Sequence, residues 1–296
     1  MKEIPADASV VVLAGPRTPL PAAALSALRA YLKGANGKPG RAIIMVNHVA
    51  GPGVVMDDPG LDGLLAEHDV RLGLDRILDA NGPGPTQLLT MGDPASSNPI
   101  ARRFSQALFF FQNAQTVEPT NTNAAFRAEV LIRTFPQLLV WSEKDPRADA
   151  AALAEAALNE AKEGKMDRFS QAPLPLAVTV SESQGAPPIP GHEFMGQQPG
   201  KPVMAVFGDA TWVSDDGLQS RLRNANFSLF KSTLEWLREK ADIGEQVKTK
   251  SGAERDQFTM EKVTPASGWN IELWAPLVLL AGVLALGLGI AVVRRS

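Results

Sequence analysis

Residues 10–48, VVVLAGPRTPLPAAALSALRAYLKGANGKPGRAIIMVNH, contain two short apolar runs separated by one helical segment. The first run, VVVL, stops at Ala-Gly-Pro, and the second run, AIIMV, begins after a turn rich in Gly. Between them, Leu25, Leu28 and Leu32 recur at helical spacing, and Gly34 follows as a stop signal. A strand, a helix and a strand joined in this way form a βαβ unit. The stretch therefore predicts a parallel sheet with helices packed on it.

The remainder of residues 1–240 predicts an α/β domain with a mixed, mainly parallel sheet. Residues 57–70 predict a short helix, and residues 148–165, which are rich in alanine, predict a surface helix. Residues 226–240 predict an amphipathic helix whose apolar face carries Phe227, Phe230, Leu234 and Leu237. Between residue 80 and residue 203 the chain is rich in predicted short strands: TQLLTM, ALFFF, AEVLIRT, QLLVW and LPLAVTV.

Charge and composition exclude several classes of function. The 296 residues include 29 basic and 32 acidic side chains, with no block of Lys or Arg, which argues against a nucleic-acid partner. The chain has no cysteine, so disulfides, thiolate zinc sites and cysteine nucleophiles are ruled out. Its three histidines lack any metal-ligand spacing, and no GxGxxG or GxxxxGK[ST] motif is present. The sequence therefore predicts neither a metal site nor a nucleotide cofactor.

The C-terminal part of the chain predicts a membrane anchor. Residues 273–293 carry no charge and are long enough, at about 1.5 Å per residue, to cross a hydrocarbon core of about 30 Å. Residues 241–272 are interpreted as a linker, and residues 294–296 as a short basic tail. The paired arginines of this tail favour a cytoplasmic C-terminus and an extracytoplasmic domain. Because the first eight residues, MKEIPADA, do not resemble an export signal, either the chain begins after its true start or the domain stays in the cytoplasm as a tail-anchored protein.

The segment VMAVFGDATWVSDD, residues 203–216, predicts a strand that delivers Asp209 to the edge of the sheet. His48 follows another strand and is expected at the same edge, where α/β proteins bind ligands. In one interpretation Asp209 closes the turn by accepting backbone N–H groups, and Ser214 caps a helix. In the alternative, Ser214 or Ser9 is the nucleophile of a hydrolase, with His48 as base and Asp209 as orienter.

The local pattern favours the turn, because no GxSxG motif surrounds any serine. We therefore predict no catalytic residue. His48, Asp209 and Ser214 are instead candidates for the rim of a ligand or partner crevice.

Several segments, in order along the chain, resemble the GldG-type auxiliary proteins of ABC transport systems, first associated with gliding motility. The segments are residues 10–46, GLDGLLAEHDVRL, SNPIARRF, VLIRTFPQLLVWSEKD, PLPLAVTV, VMAVFGDATWVSDD and a helix ending in LEWL. The resemblance implies a flavodoxin-like or class I glutamine-amidotransferase-like domain without that enzyme's cysteine. It further implies an extracytoplasmic domain held beside an ABC permease in the inner membrane, with ATP hydrolysis on a separate ATPase subunit.

The chain departs from this family's pattern in three places. Asn98 stands where a histidine is expected, Thr211 stands where a second acidic residue is expected, and no membrane helix precedes the domain. The first two departures argue against a shared metal or catalytic centre. The sequence thus predicts a membrane-anchored, non-enzymatic accessory subunit that binds a substrate or a partner. A membrane-tethered hydrolase and a pure interaction scaffold are the alternatives.

Overall fold

A computed structural model describes the chain over residues 3–34, 37–47, 49–51, 54–55, 60–136, 139–145, 147–183, 200–215 and 223–239. All of these residues belong to the first of two units into which the chain divides, Met1–Gly244. His48, the linker 241–272, the segment 273–293 and the basic tail lie outside the described residues. Within the described part of the chain, no helix has the length and apolar character needed to cross a membrane.

Helices and strands alternate in the first part of the chain, and strands dominate from residue 87 to residue 143. The helices are α1 (Ala22–Leu32), α2 (Asp62–Ala66), α3 (Pro99–Arg103), α4 (Ala150–Lys162) and α5 (Arg223–Leu237), with a 3₁₀ turn at Thr211–Val213. The strands are β1 (Val11–Ala14), β2 (Ala42–Met45), β3 (Val49–Gly51), β4 (Val54–Val55), β5 (Val70–Leu72), β6 (Arg76–Asp79), β7 (Gln87–Gly92), β8 (Leu108–Gln112), β9 (Val117–Pro119), β10 (Phe126–Thr134), β11 (Val140–Glu143), β12 (Pro175–Glu182) and β13 (Pro202–Phe207).

The main sheet has seven strands in the order β1-β2-β13-β12-β10-β7-β8. β1 and β13 flank β2 in parallel, which confirms the predicted βαβ unit and the α/β class. The pairs β13–β12, β12–β10, β10–β7 and β7–β8 are antiparallel. The prediction of a mainly parallel sheet is therefore wrong for the described strands, and the flavodoxin-like arrangement, which needs an open and mostly parallel sheet, is not confirmed.

The direction of the later strands follows from how they are connected. A parallel neighbour requires a crossover that carries the chain back to the other end of the sheet, whereas antiparallel neighbours are joined at the same end. The apolar runs after residue 80 identify strands correctly, as in β7, β8, β10 and β12. However, an apolar run carries no information about strand direction. The parallel pairing of the βαβ unit therefore does not continue into these later strands.

The central strands bury side chains on both faces of the sheet. Ile43 and Met45 of β2 join one apolar cluster with α3 and α5, whereas Ala42 and Ile44 join a second cluster with α1 and α2. Successive side chains of a strand point to opposite faces, so this division is what a doubly covered strand requires. The sheet is thus the middle layer of three, and the carboxyl ends of β1, β2 and β13 meet at one edge.

Helix α5 buries most of the predicted apolar face. Leu237 belongs to the core, and Phe230 and Leu234 pack against it. The prediction is wrong for Phe227, which is 57% exposed, and the core also takes in Leu229 and Trp236. The polar residues Ser232 and Thr233 are fully buried, and the Thr233 hydroxyl donates to the carbonyl of Leu229 at 2.8 Å. The Thr233 hydroxyl is thus satisfied within the helix, whereas the Ser232 hydroxyl has no hydrogen-bond partner among the described residues. The buried face is therefore wider than the stripe of large apolar residues.

A smaller part of the domain lies against the strand pair β6–β11. Helix α4 occupies most of the predicted segment 148–165, which confirms that helix, and Asp149 caps it by accepting the N–H groups of Ala151 and Ala152. Ala157 of α4 packs with Leu78, Trp141 and Phe169 in an apolar cluster separate from the main core. Strands β3 and β4 form a further pair, as do β5 and β9.

Candidate functional site

The carboxyl ends of the parallel strands meet at one edge of the sheet, as expected for β1, β2 and β13. The N–H of Gly15 donates to the carbonyl of Met45 at 2.9 Å, and the N–H of Val46 donates to Phe207 at 2.9 Å. The side-chain oxygen of Asn47, next to His48, accepts the N–H of Ala210. These bonds fix the turn that carries Asp209, which we call the Asp209 corner: Asn47, Gln112, Gly208, Asp209, Ala210 and Thr211.

Gly208 allows the chain to pass this corner at close range to Gln115. A Cβ atom on Gly208 would lie 2.1 Å from the carbonyl oxygen of Gln115, so no larger residue fits without a backbone shift. In return, the N–H of Gln115 donates to Gly208 at 2.9 Å, and its side-chain amide donates to the carbonyl of Val46 at 3.0 Å. The glycine of the Gly-Asp pair is therefore explained by the close packing of two backbone segments.

Asp209 is fully buried, and both of its carboxylate oxygens are occupied. Its Oδ1 accepts the N–H and the hydroxyl of Thr211, each at 2.6 Å. Its Oδ2 accepts the N–H of Gln112, the last residue of edge strand β8, at 2.8 Å. The carboxylate thus takes the place of a missing neighbour strand and connects the end of β13 to the far edge of the same sheet.

Burial raises the pKa of Asp209 from 3.8 to about 6, because the charged carboxylate loses its hydration. The hydrogen bonds from Thr211 and Gln112 oppose this shift, since they stabilise the charged form. Desolvation wins because no cation lies among the groups that act on this carboxyl. The folded protein therefore binds a proton at Asp209 more tightly than the unfolded chain does.

This shift predicts how stability depends on pH. The stabilising contribution of Asp209 protonation is complete below the unfolded pKa of 3.8 and is lost as the pH rises through about 6. Relative to Asp209→Asn, which does not titrate, the free energy of unfolding should rise by about 2 kcal/mol between about pH 8 and about pH 4.5. Urea titrations of both proteins across this range measure the difference. A difference that stays constant with pH would contradict the assignment.

Of the other predicted site residues, the structure describes Ser214 but not His48. Ser214 is exposed where the 3₁₀ turn ends, and its hydroxyl donates to the carbonyl of Thr211 at 2.6 Å. His48 lies outside the described residues, so its position relative to Asp209 stays a prediction. Of the residues proposed for a hydrolase, Asp209 and Ser214 are engaged with the backbone of the corner, whereas Ser9 precedes β1, at the opposite end of that strand. In the part of the chain that the structure describes, no group of three or more His, Asp or Glu side chains could hold a metal ion.

Two buried amides of this region were not identified from the sequence. Asn47 accepts from Ala210, and Asn226 of α5 donates to the carbonyl of Trp212 at 2.9 Å. Asn226 also accepts the N–H of Phe110 at 3.5 Å, so it serves the same edge of β8 as Asp209 does. The sequence does carry a signal for each of them. Asn47 follows a fully apolar strand, and Asn226 lies inside an amphipathic helix, and a polar side chain in such a place is buried with hydrogen-bond partners.

A profile of the protein family described as ABC-type uncharacterized transport system matches residues 1–237. This range covers every helix and strand that the structure describes. The chain belongs to this family. Neither a curated protein nor a solved structure matches the chain. The match confirms the resemblance drawn from the sequence motifs and makes the chain an auxiliary component of an ABC-type transport system.

The two departures of this ABC-system component have structural explanations. Asn98 is the N-cap of α3, where its Oδ1 accepts the N–H of Ile100 at 2.8 Å, and its amide donates to the hydroxyl of Thr179 at 3.1 Å. Thr211 donates both its backbone N–H and its hydroxyl to Asp209. An ionised acidic side chain at this position would have no hydrogen to donate in place of the hydroxyl. Both residues therefore have structural uses in this member of the family.

Proposed function

We propose that this chain is a membrane-anchored, non-enzymatic accessory subunit of an ABC-type transport system, of an export or gliding-motility-like kind. The family match over residues 1–237 supports the association with such a system. In this proposal a permease carries out translocation, and a separate ATPase subunit hydrolyses ATP. The α/β domain binds a partner subunit or a transported substrate.

The state of Asp209 is the observation that carries the non-enzymatic part of the proposal. A catalytic carboxylate needs an oxygen that can reach a substrate proton or atom. Both oxygens of Asp209 are instead used by Thr211 and Gln112, and the side chain has no exposed surface. Asp209 thus shapes the corner at the rim of the proposed crevice, with His48 and Ser214 as the other candidates at this edge.

The anchor in this proposal is the uncharged segment 273–293. Arg294 and Arg295 would hold its end in the cytoplasm, which places the α/β domain outside the cytoplasm, anchored in the inner membrane by this segment. The domain then lies on the side of the membrane where an exported substrate emerges, and where it can bind partner proteins outside the cytoplasm.

A comparison of the full chain with a version truncated before Trp269 tests the proposal. We expect the full chain to sediment with native membranes and to co-purify with an ABC permease and ATPase in mild detergent. The truncated version should remain folded, leave the membrane fraction and lose most of both subunits. The proposal is contradicted if the full chain is recovered without either subunit, or if truncation leaves membrane association unchanged.

A further inference from the structure

We infer that a cavity at the amino ends of β2 and β13 binds a polypeptide segment of a partner subunit. The cavity has a volume of about 1290 Å³ and lies at the opposite end of the strands from the Asp209 corner. Arg41, which precedes β2, and Lys201 to Val203, at the start of β13, contribute to its wall. This inference rests on the proposed accessory function, since it names the surface and the kind of partner. We call this space the amino-edge cavity.

The floor of the amino-edge cavity is aromatic. Tyr31, His68 and Phe126 line it, and the rings of His68 and Phe126 lie 4.8 Å apart. Tyr31 is 5% exposed, and its hydroxyl donates to the carbonyl of Ala8 at 3.2 Å, which fixes the ring. Gly40 leaves room for this ring, because a Cβ there would lie 2.3 Å from it. The floor thus offers rigid rings to an apolar side chain.

His68 adds a hydrogen-bond acceptor to this floor. The residue is 4% exposed, and its Nδ1 lies 2.8 Å from the carbonyl of Leu64. A carbonyl only accepts, so Nδ1 carries the proton and, in the neutral ring, Nε2 is the acceptor. An imidazole acceptor in a cavity wall suits a ligand that carries an N–H group.

The rim of the amino-edge cavity carries charges of both signs. Two of its acidic residues are neutralised within the wall, because Glu67 contacts Arg29 at 2.8 Å and Lys33 at 3.2 Å, and Glu239 contacts Arg41 at 2.8 Å. The described chain supplies no ion-pair partner for four other charged residues of the rim, two basic and two acidic: Lys38, Lys201, Asp7 and Glu182.

These features together favour a polypeptide over other ligands. A nucleic acid or an acidic polymer needs an excess of cations, and a lipid chain needs an apolar wall, whereas this rim is balanced in charge. The volume exceeds the roughly 300–1,000 Å³ of clefts for small molecules. A polypeptide segment supplies backbone N–H donors for His68, side chains for the aromatic floor and charges of both signs for the rim. In an ABC-type system the source of such a segment is the permease.

Photo-crosslinking in native membranes tests this assignment directly. The full chain carries p-benzoylphenylalanine in place of Lys201 in one version and in place of Lys165, an exposed residue just after α4, in the control. We expect the probe at position 201 to crosslink to a permease polypeptide, and the control to give at least tenfold less of that product. Crosslinks to lipid alone, or equal products at both positions, would overturn the inference.

A charge-reversal variant separates this inference from the proposed function. Lys38→Glu with Lys201→Glu alters two exposed side chains, so the fold should be retained, and Lys165→Glu is the matched control. We expect the double variant to lower co-purified permease roughly tenfold and the control to leave it unchanged. If the double variant retains the permease in full, the cavity inference fails while the accessory function stands. If the wild-type chain itself recovers no permease in the same assay, the accessory function fails, and the cavity inference fails with it.

Discussion

Replacing Asp209 by alanine is expected to lower the free energy of unfolding by about 3 kcal/mol at pH 7. The substitution leaves the N–H groups of Gln112 and Thr211 without their buried acceptor, and each lost partner costs about 1–3 kcal/mol. The release of a desolvated charge offsets part of this loss. Urea unfolding, followed by tryptophan fluorescence because Trp212 lies beside the corner, measures the change.

Asp149→Ala is the matched control for this substitution. Asp149 also accepts two backbone N–H groups, those of Ala151 at 2.9 Å and Ala152 at 3.3 Å, but its side chain is exposed. Water can replace the lost acceptor there, so we expect a loss of only about 1 kcal/mol. Equal losses for the two substitutions would show that Asp209 is an ordinary turn residue, without the role in joining β8 to β13.

Trp212→Ala is expected to have the largest effect of any single side-chain truncation in the domain, about 4 kcal/mol. Trp212 is fully buried, and its ring lies 4.8 Å from Phe207 of β13, 5.6 Å from Phe111 of β8 and 6.4 Å from Phe230 of α5. Removal of the indole opens a cavity where these elements meet. Differential scanning calorimetry and urea titration should both report the loss.

Two further variants define the origin of the Trp212 effect. Trp212→Phe should retain more than half of the free energy of unfolding, because the indole N–H has no hydrogen-bond acceptor among the described residues. Phe227→Ala, at a 57% exposed position of α5, should change stability by less than about 0.5 kcal/mol. A large loss from Phe227→Ala, together with a small loss from Trp212→Ala, would mean that α5 turns Phe227 toward the core, which would contradict this packing.

The parts of the fold that depend on local pattern were predictable. The spacing of Leu25, Leu28 and Leu32 identifies α1, and the apolar runs on either side identify β1 and β2 as parallel neighbours. The turn interpretation of Asp209 also agrees with the structure, because Gly-Asp after a strand has a defined local chemistry. Such features involve residues close in sequence, and helix propensity, strand propensity and turn chemistry act at that range. They can therefore be predicted from the sequence.

The remaining features depend on contacts between distant residues. Gln112 donates to Asp209 across 97 positions, and Asn98 donates to Thr179 across 81, so neither pairing could be derived from spacing. The amino-edge cavity escaped prediction for the same reason, since Tyr31, His68 and Phe126 come from separate elements. His68 sits in a charged segment of sequence, which indicates an exposed helix end, yet it is buried against Phe126.

Native mass spectrometry of the full chain, purified through a tag from its own membranes in mild detergent, tests the assignment to an ABC-type system most directly. The account predicts one assembly whose mass contains this chain of 31.6 kDa together with a permease and an ATPase subunit. On dissociation it should release all three polypeptides in a fixed ratio. If the folded chain is found only alone or as copies of itself, under conditions in which the permease and ATPase remain associated with each other, the account is contradicted.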